Sequence, residues 1–136
     1  MKIIICGSIS AADEILSAKK ILEDTGHVVE VPEGVKNNEL RARTDISNEE
    51  KANDKIAHDL IRKYFEKVKQ CDVVLVVNPE KRGIKGYIGG NSLIEMAFAH
   101  VLGKPLYVLH PIPQLPYTAE IIAMQPVILN GDLSLI

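Results

Sequence analysis

The run Asp-Val-Val-Leu-Val-Val at residues 72–77 constrains the fold of this chain more than any other segment. A continuous apolar run of this length is typical of a strand that is buried on both faces, and such strands occur in parallel sheets covered by helices. Residues 3–6 form a second run of the same kind. The sequence therefore predicts an α/β protein built around a buried parallel sheet.

Strand and helix patterns alternate along the whole chain. Short apolar runs predict strands over residues 3–6, 28–31, 72–77, 104–109 and 126–129. Helical spacing of apolar residues predicts helices over residues 11–24, 49–70 and 117–124, in addition to the one that follows Gly89-Gly90. Residues 32–48 show neither period clearly. Alternation of this kind implies right-handed βαβ crossovers, so we expect a three-layer α/β sandwich with a five-stranded parallel, Rossmann-like sheet in the flavodoxin-like order 2-1-3-4-5.

Length and composition exclude several classes of function. The 136 residues fit one domain, so residues 1–136 are expected to form a single unit. A net charge of −2 and the absence of tryptophan argue against a nucleic acid polymer as partner, because such binding usually needs a basic face or aromatic stacking platforms. No apolar run approaches the about 18 residues of a membrane span, and the N-terminus does not resemble a signal peptide, so no membrane contact is expected.

The two cysteines and the histidines give no sign of a metal site. Cys6 and Cys71 each border an apolar strand and lack a CxxC partner, which predicts buried free thiols and a reducing, cytoplasmic environment. No group of His, Cys, Asp and Glu has metal-ligand spacing, so no metal is expected.

The predicted strand order directs attention to one edge of the sheet. Ligands of such sheets bind at the carboxyl ends of the strands near the switch between strands 1 and 3. The first loop at this edge is Gly7-Ser8-Ile9-Ser10. Its glycine permits close backbone approach, and its hydroxyls with the following helix N–H groups suit a phosphate or a sugar hydroxyl. Ser10 has an alternative role as a helix N-cap, with Asp13 completing a capping box.

A second polar constellation opens the helix that follows Gly89-Gly90. Asn91, Ser92 and Glu95 project from one face at helical spacing. A carboxylate near a glycine-rich bend at a helix start suits chemistry on a sugar or phosphate. The alternative is a capping box, in which Ser92 and Glu95 only satisfy backbone N–H groups.

Three further groups near this edge are candidates for ligand contact or for packing. His110 ends the fourth strand at the functional edge. Residues 81–87 contain three cations that can attract a phosphate, and Tyr87 can stack on a base or ribose; the alternative is a solvated loop. His100 lies about 140° around the helix from Glu95, which favours a packing or interface role.

Three motifs in this order resemble the nucleoside 2-deoxyribosyltransferase superfamily, which includes the 2′-deoxynucleoside 5′-monophosphate N-glycosidases. They are Ile-Cys-Gly-Ser-Ile at 5–9, Cys-Asp-Val-Val-Leu-Val-Val at 71–77, and Asn-Ser-Leu-Ile-Glu-Met-Ala-Phe-Ala at 91–99 followed by Gly-Lys-Pro at 103–105. The resemblance implies that Glu95 is the nucleophile at the anomeric carbon and that the loop after strand 1 contacts the sugar or its 5′-phosphate. The candidate substrate-binding residues are Gly7, Ser8, Ser10, Tyr87, Gly89, Gly90, Asn91, Ser92 and His110.

The resemblance also implies a small-molecule nucleoside or nucleotide as partner, no cofactor, and a homo-oligomer, dimeric or larger. In such assemblies a neighbour's loop completes each site, which residues 113–120 or 131–136 would supply here. Independently, the apolar residues of the motif helix cover most of its circumference, so it must be buried on more than one side. These residues are Leu93, Ile94, Met96, Phe98, Val101 and Leu102.

The chain departs from the family pattern at several positions. Gly89 occupies the place of a frequent acidic residue or serine, and an isoleucine replaces the aromatic residue of strand 1. Tyr64, with Asp59 further upstream, stands where transferases place a further aspartate. The sequence therefore leaves three candidates for the general acid that protonates the leaving base: Asp59, His58 and a residue of the 32–48 segment.

Two other functions fit the same residues. Gly89-Gly90-Asn91-Ser92-x-x-Glu95 partly resembles the Gly-Gly-x-Gly-Thr-x-x-Glu motif of phosphoribohydrolases of the lysine-decarboxylase-like type. A non-catalytic nucleotide sensor on the same scaffold is the alternative outside the enzymes. Release of free base separates both enzymes from the sensor.

Overall fold

A computed structural model of the protein describes residues 1–36 and 47–136. It contains a five-stranded parallel sheet in the order β2-β1-β3-β4-β5, flanked by helices, which confirms the predicted α/β fold class and strand order. The strands are β1 (Lys2–Cys6), β2 (Val28–Glu30), β3 (Val73–Val76), β4 (Leu106–Val108) and β5 (Val127–Ile128). The helices are α1 (Ala12–Asp24), α2 (Glu33–Lys36), α3 (Asn48–Ala57), α4 (Leu60–Gln70), α5 (Gly90–Val101) and α6 (Thr118–Ala123), with 3₁₀ turns at Ile9–Ala11 and Leu133–Leu135.

The sheet is buried on both faces, which explains the continuous apolar runs. Successive side chains of a strand point to opposite faces. Ile3 and Ile5 of β1 therefore pack into one core with α1, whereas Ile4 and Cys6 pack into a second core with α4, α5 and α6. The two cores lie on opposite sides of the sheet, so α1 and α5 belong to different layers.

The predicted helix over residues 49–70 is wrong in one respect, because the structure contains two helices there. Asp59 interrupts the run with a φ of 49°, a left-handed conformation that an α-helix cannot contain. No residue of α3 is buried, whereas α4 buries Val68 in the second core. The uneven apolar stripe of the sequence therefore reflects two helices with different surroundings.

Other elements differ from the expectations by small amounts. A 3₁₀ turn precedes α1, and α2 lies within the 32–48 segment, where the sequence showed no clear period. Cys6 and Cys71 are buried free thiols, as predicted. None of the helices in residues 1–36 and 47–136 combines the length and the apolar composition that a membrane span requires.

Candidate active site

The first turn of α5 contradicts the capping-box alternative for Ser92 and Glu95. The N-cap of α5 is Gly89, in extended conformation and without a side-chain cap, and the first helical residue is Gly90. A capping serine must stand at the N-cap, directly before the first helical residue. Ser92 is the third residue of the helix and Glu95 the sixth, so neither side chain caps it. Another role is needed for the carboxylate.

Glu95 is a buried carboxylate with an unsatisfied oxygen. Its side chain belongs to a residue that is 6% exposed, and its Oε2 is buried without a hydrogen-bond partner. Burial raises the pKa of the Glu95 carboxyl to about 7, against the opposing effects of the Cys6 thiol and of the charges of Lys55 and Lys67. The group therefore changes its charge near neutral pH, which is typical of functional rather than structural carboxylates.

Two polar side chains face this carboxylate from neighbouring elements. Cys6, at the end of β1, is fully buried, and the pKa of its thiol is raised by this burial and by the negative charge of Glu95. Tyr64 of α4 is half-buried, and its pKa is raised by burial and by the negative charge of Glu95, so the phenol keeps its proton. Tyr64 stands where the resemblance places a further aspartate, and its phenol senses the charge of Glu95.

The other candidates for the general acid lie elsewhere. His58 and Asp59 are exposed in the turn between α3 and α4, and Asp59 pairs with Arg62 at 3.4 Å. Of the 32–48 segment, residues 37–46 lie outside the described part of the chain. Of the described residues considered for this role, Tyr64 is the one whose pKa is raised by the charge of Glu95, and it keeps its proton.

The loop after β1 approaches the end of β3 closely because residue 7 is a glycine. A Cβ at Gly7 would lie 2.9 Å from the Val77 carbonyl oxygen and 2.9 Å from Ile15 Cδ1. The backbone oxygen of Val77 cannot move easily to make room for a Cβ at this distance, so only glycine fits at position 7. This contact places the Gly7 loop directly over the switch between β1 and β3.

Ser8 and Ser10 bring two hydroxyls together in that loop. Their Oγ atoms are 2.7 Å apart, and Ser8 is the N-cap of the 3₁₀ turn. The alternative in which Ser10 caps α1 is wrong, because the N-cap of α1 is Ala11 and no side chain caps this helix. Both hydroxyls therefore remain available for ligand contact at this edge.

Asn78 is a site-forming residue that the sequence analysis missed. It directly follows Val77 and is fully buried. Its Oδ1 accepts the backbone N–H of His110 at 2.9 Å, and its Nδ2 donates to the carbonyl oxygens of Gly86 at 3.1 Å and His110 at 3.2 Å. A polar residue directly after a buried strand was the available signal. Its amide holds the loops after β3 and β4 together.

Tyr87 lies in the loop between β3 and α5, close to the start of that helix. A Cβ at Gly89 would lie 3.4 Å from Tyr87 Cε1, and Lys81 Nζ is 5.4 Å from the centre of the Tyr87 ring. The cation–ring contact orders one of the predicted loop cations. At the helix start, Gly90 and Asn91 are exposed, whereas Ser92 is buried.

The imidazole of His110 pairs with α1, on the face of the sheet opposite to α5. Its Nε2 is 2.6 Å from Oε1 of Glu14, a residue of α1. Because α1 and α5 cover opposite faces of the sheet, this pair and Glu95 belong to different layers. Glu14 escaped the sequence analysis, since 96 residues separate the two partners. His100 is exposed on α5.

Within residues 1–36 and 47–136, no group of three or more His, Cys, Asp or Glu side chains is arranged to hold a metal ion. The described residues do provide a buried carboxylate on α5, whose charge raises the pKa of a thiol and of a phenol, and a hydroxyl-bearing loop after β1. This set suits acid–base or nucleophilic chemistry.

No protein-family model matches the sequence, and no curated protein sequence matches it. Among solved structures, the chain is similar to the CMP N-glycosidase BcmB of Clostridium botulinum, with a TM-score of 0.53 and 14% sequence identity. The match covers 96% of this chain and 90% of that protein. At this identity the similarity is one of fold, and it extends over nearly the whole length of both chains.

Proposed function

We propose that the protein cleaves the N-glycosidic bond of a nucleoside or nucleoside 5′-monophosphate, with Glu95 as the nucleophile. The observation that carries this proposal is the buried Glu95 carboxylate, whose Oε2 has no hydrogen-bond partner among the described residues. Burying such an oxygen is costly for folding, and the cost is offset when a substrate uses it.

The proposed reaction is a double displacement at one carbon. Ionised Glu95 attacks C1′ of the sugar through Oε2, the bond from C1′ to the base nitrogen breaks, and its electron pair leaves with the base. The resulting glycosyl ester is resolved at the same carbon by water or by a second base, which frees the Glu95 carboxylate. No cofactor takes part in either step.

The loops at the sheet edge supply the proposed substrate contacts. Gly7 allows close backbone approach, and the adjacent hydroxyls of Ser8 and Ser10 suit the sugar or its 5′-phosphate. Tyr87 and residues 89–92 border the same helix start and are proposed to contact the base or ribose. His110 is also proposed to contact the substrate, but its imidazole is already paired with Glu14, so that pair would have to open or to act as a unit.

Two independent likenesses support this function. The ordered motifs resemble nucleoside 2-deoxyribosyltransferases, and the fold is similar to that of a protein described as a CMP N-glycosidase. The first suggests a deoxyribose and the second a ribonucleotide, so the sugar is a question for experiment. We further propose that residues 1–136 act as one domain within a homo-oligomer.

The deciding experiment is a panel of ribo- and deoxyribonucleosides and their 5′-monophosphates, with free base measured by chromatography. We expect base release from at least one member, and its loss in Glu95→Ala. Glu23→Ala, which removes an exposed carboxylate from α1 in the other layer, is the matched control and should keep the parent rate. Release that persists in Glu95→Ala would exclude Glu95 as nucleophile.

Further outcomes of the panel separate the alternatives. Adding a second free base distinguishes a transferase, which forms a new nucleoside, from a hydrolase, which forms the free sugar. Release from ribonucleoside monophosphates alone would favour a phosphoribohydrolase. Tight nucleotide binding without base release would favour the non-catalytic sensor.

A further inference from the structure

Glu14 of α1 and His110, which follows β4, form a carboxylate–imidazole pair. Oε1 of Glu14 is 2.6 Å from Nε2 of His110, and the two side chains are 35% and 33% exposed. An ionised carboxylate only accepts hydrogen bonds, so the proton of this bond sits on Nε2. The pair therefore fixes both the tautomer and the orientation of the imidazole.

This pair lies beside the proposed substrate loop. A Cβ at Gly7 would lie 2.9 Å from Ile15 Cδ1 and 2.9 Å from the Val77 carbonyl oxygen. Ile15 directly follows Glu14 in α1. The residue after Val77 accepts the backbone N–H of His110 at 2.9 Å. Each partner is thus anchored next to a residue that borders Gly7.

One nitrogen and one oxygen of the pair are free to bind a ligand. Within residues 1–36 and 47–136, Nδ1 of His110 and Oε2 of Glu14 have no hydrogen-bond partner. In the same residues, the buried side-chain atom without a partner is Oε2 of Glu95. The two free atoms of the pair are therefore not buried, and they reach solvent.

The charges at the start of α1 oppose an anionic ligand. Asp13 and Glu14 both lie in its first turn, and neither pairs with a lysine or arginine of the described residues. The pair itself is negative with a neutral imidazole and uncharged with a protonated one, so it offers a phosphate no positive charge in either state. A hydroxyl group fits both states, because it donates to a free Nδ1 and accepts from a protonated one.

We propose that Glu14 is a positioning residue for His110, and that the pair acts as a unit that binds a sugar hydroxyl of an uncharged nucleoside and disfavours a phosphate. This inference rests on the proposed function, and of the two substrate classes named there it selects the nucleoside. The hydroxyls of Ser8 and Ser10, 2.7 Å apart in the same loop, suit the same sugar.

The first test compares the affinity for a nucleoside with that for its 5′-monophosphate. Titration calorimetry in Glu95→Gln protein measures both without consuming the ligand. We expect the nucleoside to bind more tightly. Glu14→Gln keeps an acceptor for Nε2 but removes the charge, so it should lower this preference by about tenfold. Glu23→Gln, which removes a carboxylate from the far end of α1, should leave the preference unchanged. An unchanged preference in Glu14→Gln would overturn the proposal.

The second test asks whether Glu14 acts through His110. ¹⁵N NMR of the imidazole shows which ring nitrogen carries the proton. We expect the Nε2–H tautomer in the parent protein, and a shift of the Nδ1 signal when the nucleoside binds. Glu14→Gln should keep both features, whereas Glu14→Ala should give mixed tautomers and a weaker shift. The exposed His100 of α5 is the internal control, because its signals should not respond.

The parent spectrum decides the matter even if Glu14→Ala does not fold. An Nδ1 signal of His110 that ignores a bound nucleoside would overturn the proposal. Analogues that lack the 2′-, 3′- or 5′-hydroxyl identify the group that is bound, because the analogue without it should leave Nδ1 unshifted. If every analogue shifts Nδ1 equally, no hydroxyl is bound there and the proposal is wrong.

A failure of this inference is distinguishable from a failure of the proposed reaction. Nucleoside binding that shifts Nδ1 without any release of base would contradict the reaction alone. Base release with an unresponsive Nδ1 would contradict this inference alone. A protein that binds no nucleoside would contradict both.

Discussion

His110 donates its backbone N–H to Oδ1 of Asn78 over 2.9 Å, so one buried amide sets the spacing of the loops after β3 and β4. The same amide donates to the carbonyl oxygens of Gly86 and His110. Two of the three loops at the ligand-binding edge are therefore linked by the side chain of a single residue.

Replacing Asn78 should damage stability and activity together. For Asn78→Ala we expect the free energy of unfolding to fall by about 2–4 kcal/mol, because several buried backbone groups lose their partner. Urea denaturation followed by circular dichroism measures this loss. Asn78→Asp has the same size but would turn an oxygen toward the carbonyl groups, so it should be no more stable than the alanine variant. An aspartate variant as stable as the parent would contradict the assignment.

Gly86 and Gly83 offer a matched test of loop packing. Both have a left-handed φ, +71° and +75° respectively, so an alanine at either position is strained by about 1–2 kcal/mol. A Cβ at Gly86 would in addition overlap the carbonyl oxygen of Pro111, whereas the space at Gly83 is open. We expect Gly86→Ala to lower the melting temperature clearly more than Gly83→Ala. Equal losses would mean that the Pro111 contact is not maintained in solution.

The rate of base release should depend on the ionisation of Glu95. With a pKa of about 7, the attacking carboxylate is mostly protonated at acidic pH. We therefore expect kcat/KM to rise with pH and to reach half its plateau near pH 7, measured between about pH 5 and about pH 9. Cys71→Ala serves as the control with the same profile. A rising limb near the usual pKa of glutamate would show that Glu95 is solvated in the free enzyme.

Glu95 should also reduce stability at high pH. Its pKa is raised on folding, so the unfolded chain releases this proton at lower pH than the folded protein. Stability is consequently greatest below the unfolded value of about 4.5 and falls as the pH rises to about 7. Glu95→Gln should therefore be more stable than the parent by on the order of 2–3 kcal/mol at pH 8, and about equal to it at pH 4. Urea unfolding at both pH values gives the free energy of unfolding of the variant and of the parent. If the two proteins differ by the same amount at pH 4 and pH 8, the charge of Glu95 is not the cause of the difference.

The exposed apolar residues of α5 predict self-association. Val101 is 81% exposed and Ile94 39% exposed, on a helix that also lines the proposed site. Light scattering should give at least twice the chain mass of 15.0 kDa, and Val101→Glu should lower it. Ile21→Glu, at an exposed position of α1 in the other layer, is the control. A parent mass of one chain with full activity would contradict the oligomer.

The buried parallel sheet could be predicted because its central strands are apolar on both faces, and the strand order because five strands alternate with helices in a chain of this size. Residues 72–77 and 3–6 needed no tertiary information to be assigned, and the edge at which Glu95 and the Gly7 loop lie follows from the order alone. The free, buried state of Cys6 also followed from its place in a strand. The influence of Glu95 on its pKa did not, because that depends on how α5 lies across the sheet.

Features that depend on one backbone angle or on distant partners could not be predicted. The left-handed Asp59 divides an apparently continuous helix, and the sequence around it contains neither glycine nor proline. The start of α5 at Gly90 excludes the capping box for Ser92 and Glu95, although the sequence alone is compatible with one. The Glu14–His110 pair joins residues from opposite ends of the chain.

The position of Glu95 as the sixth residue of α5 has an evolutionary consequence. The carboxylate lies past every capping position, so the helix does not depend on it. A single substitution to glutamine would remove the proposed nucleophile, keep the sheet edge and its loops, and relieve the cost of a buried charge. If Glu95 acts as proposed, losing the catalytic carboxylate would thus stabilise the fold, and a nucleotide-binding descendant would be one mutation away from the enzyme.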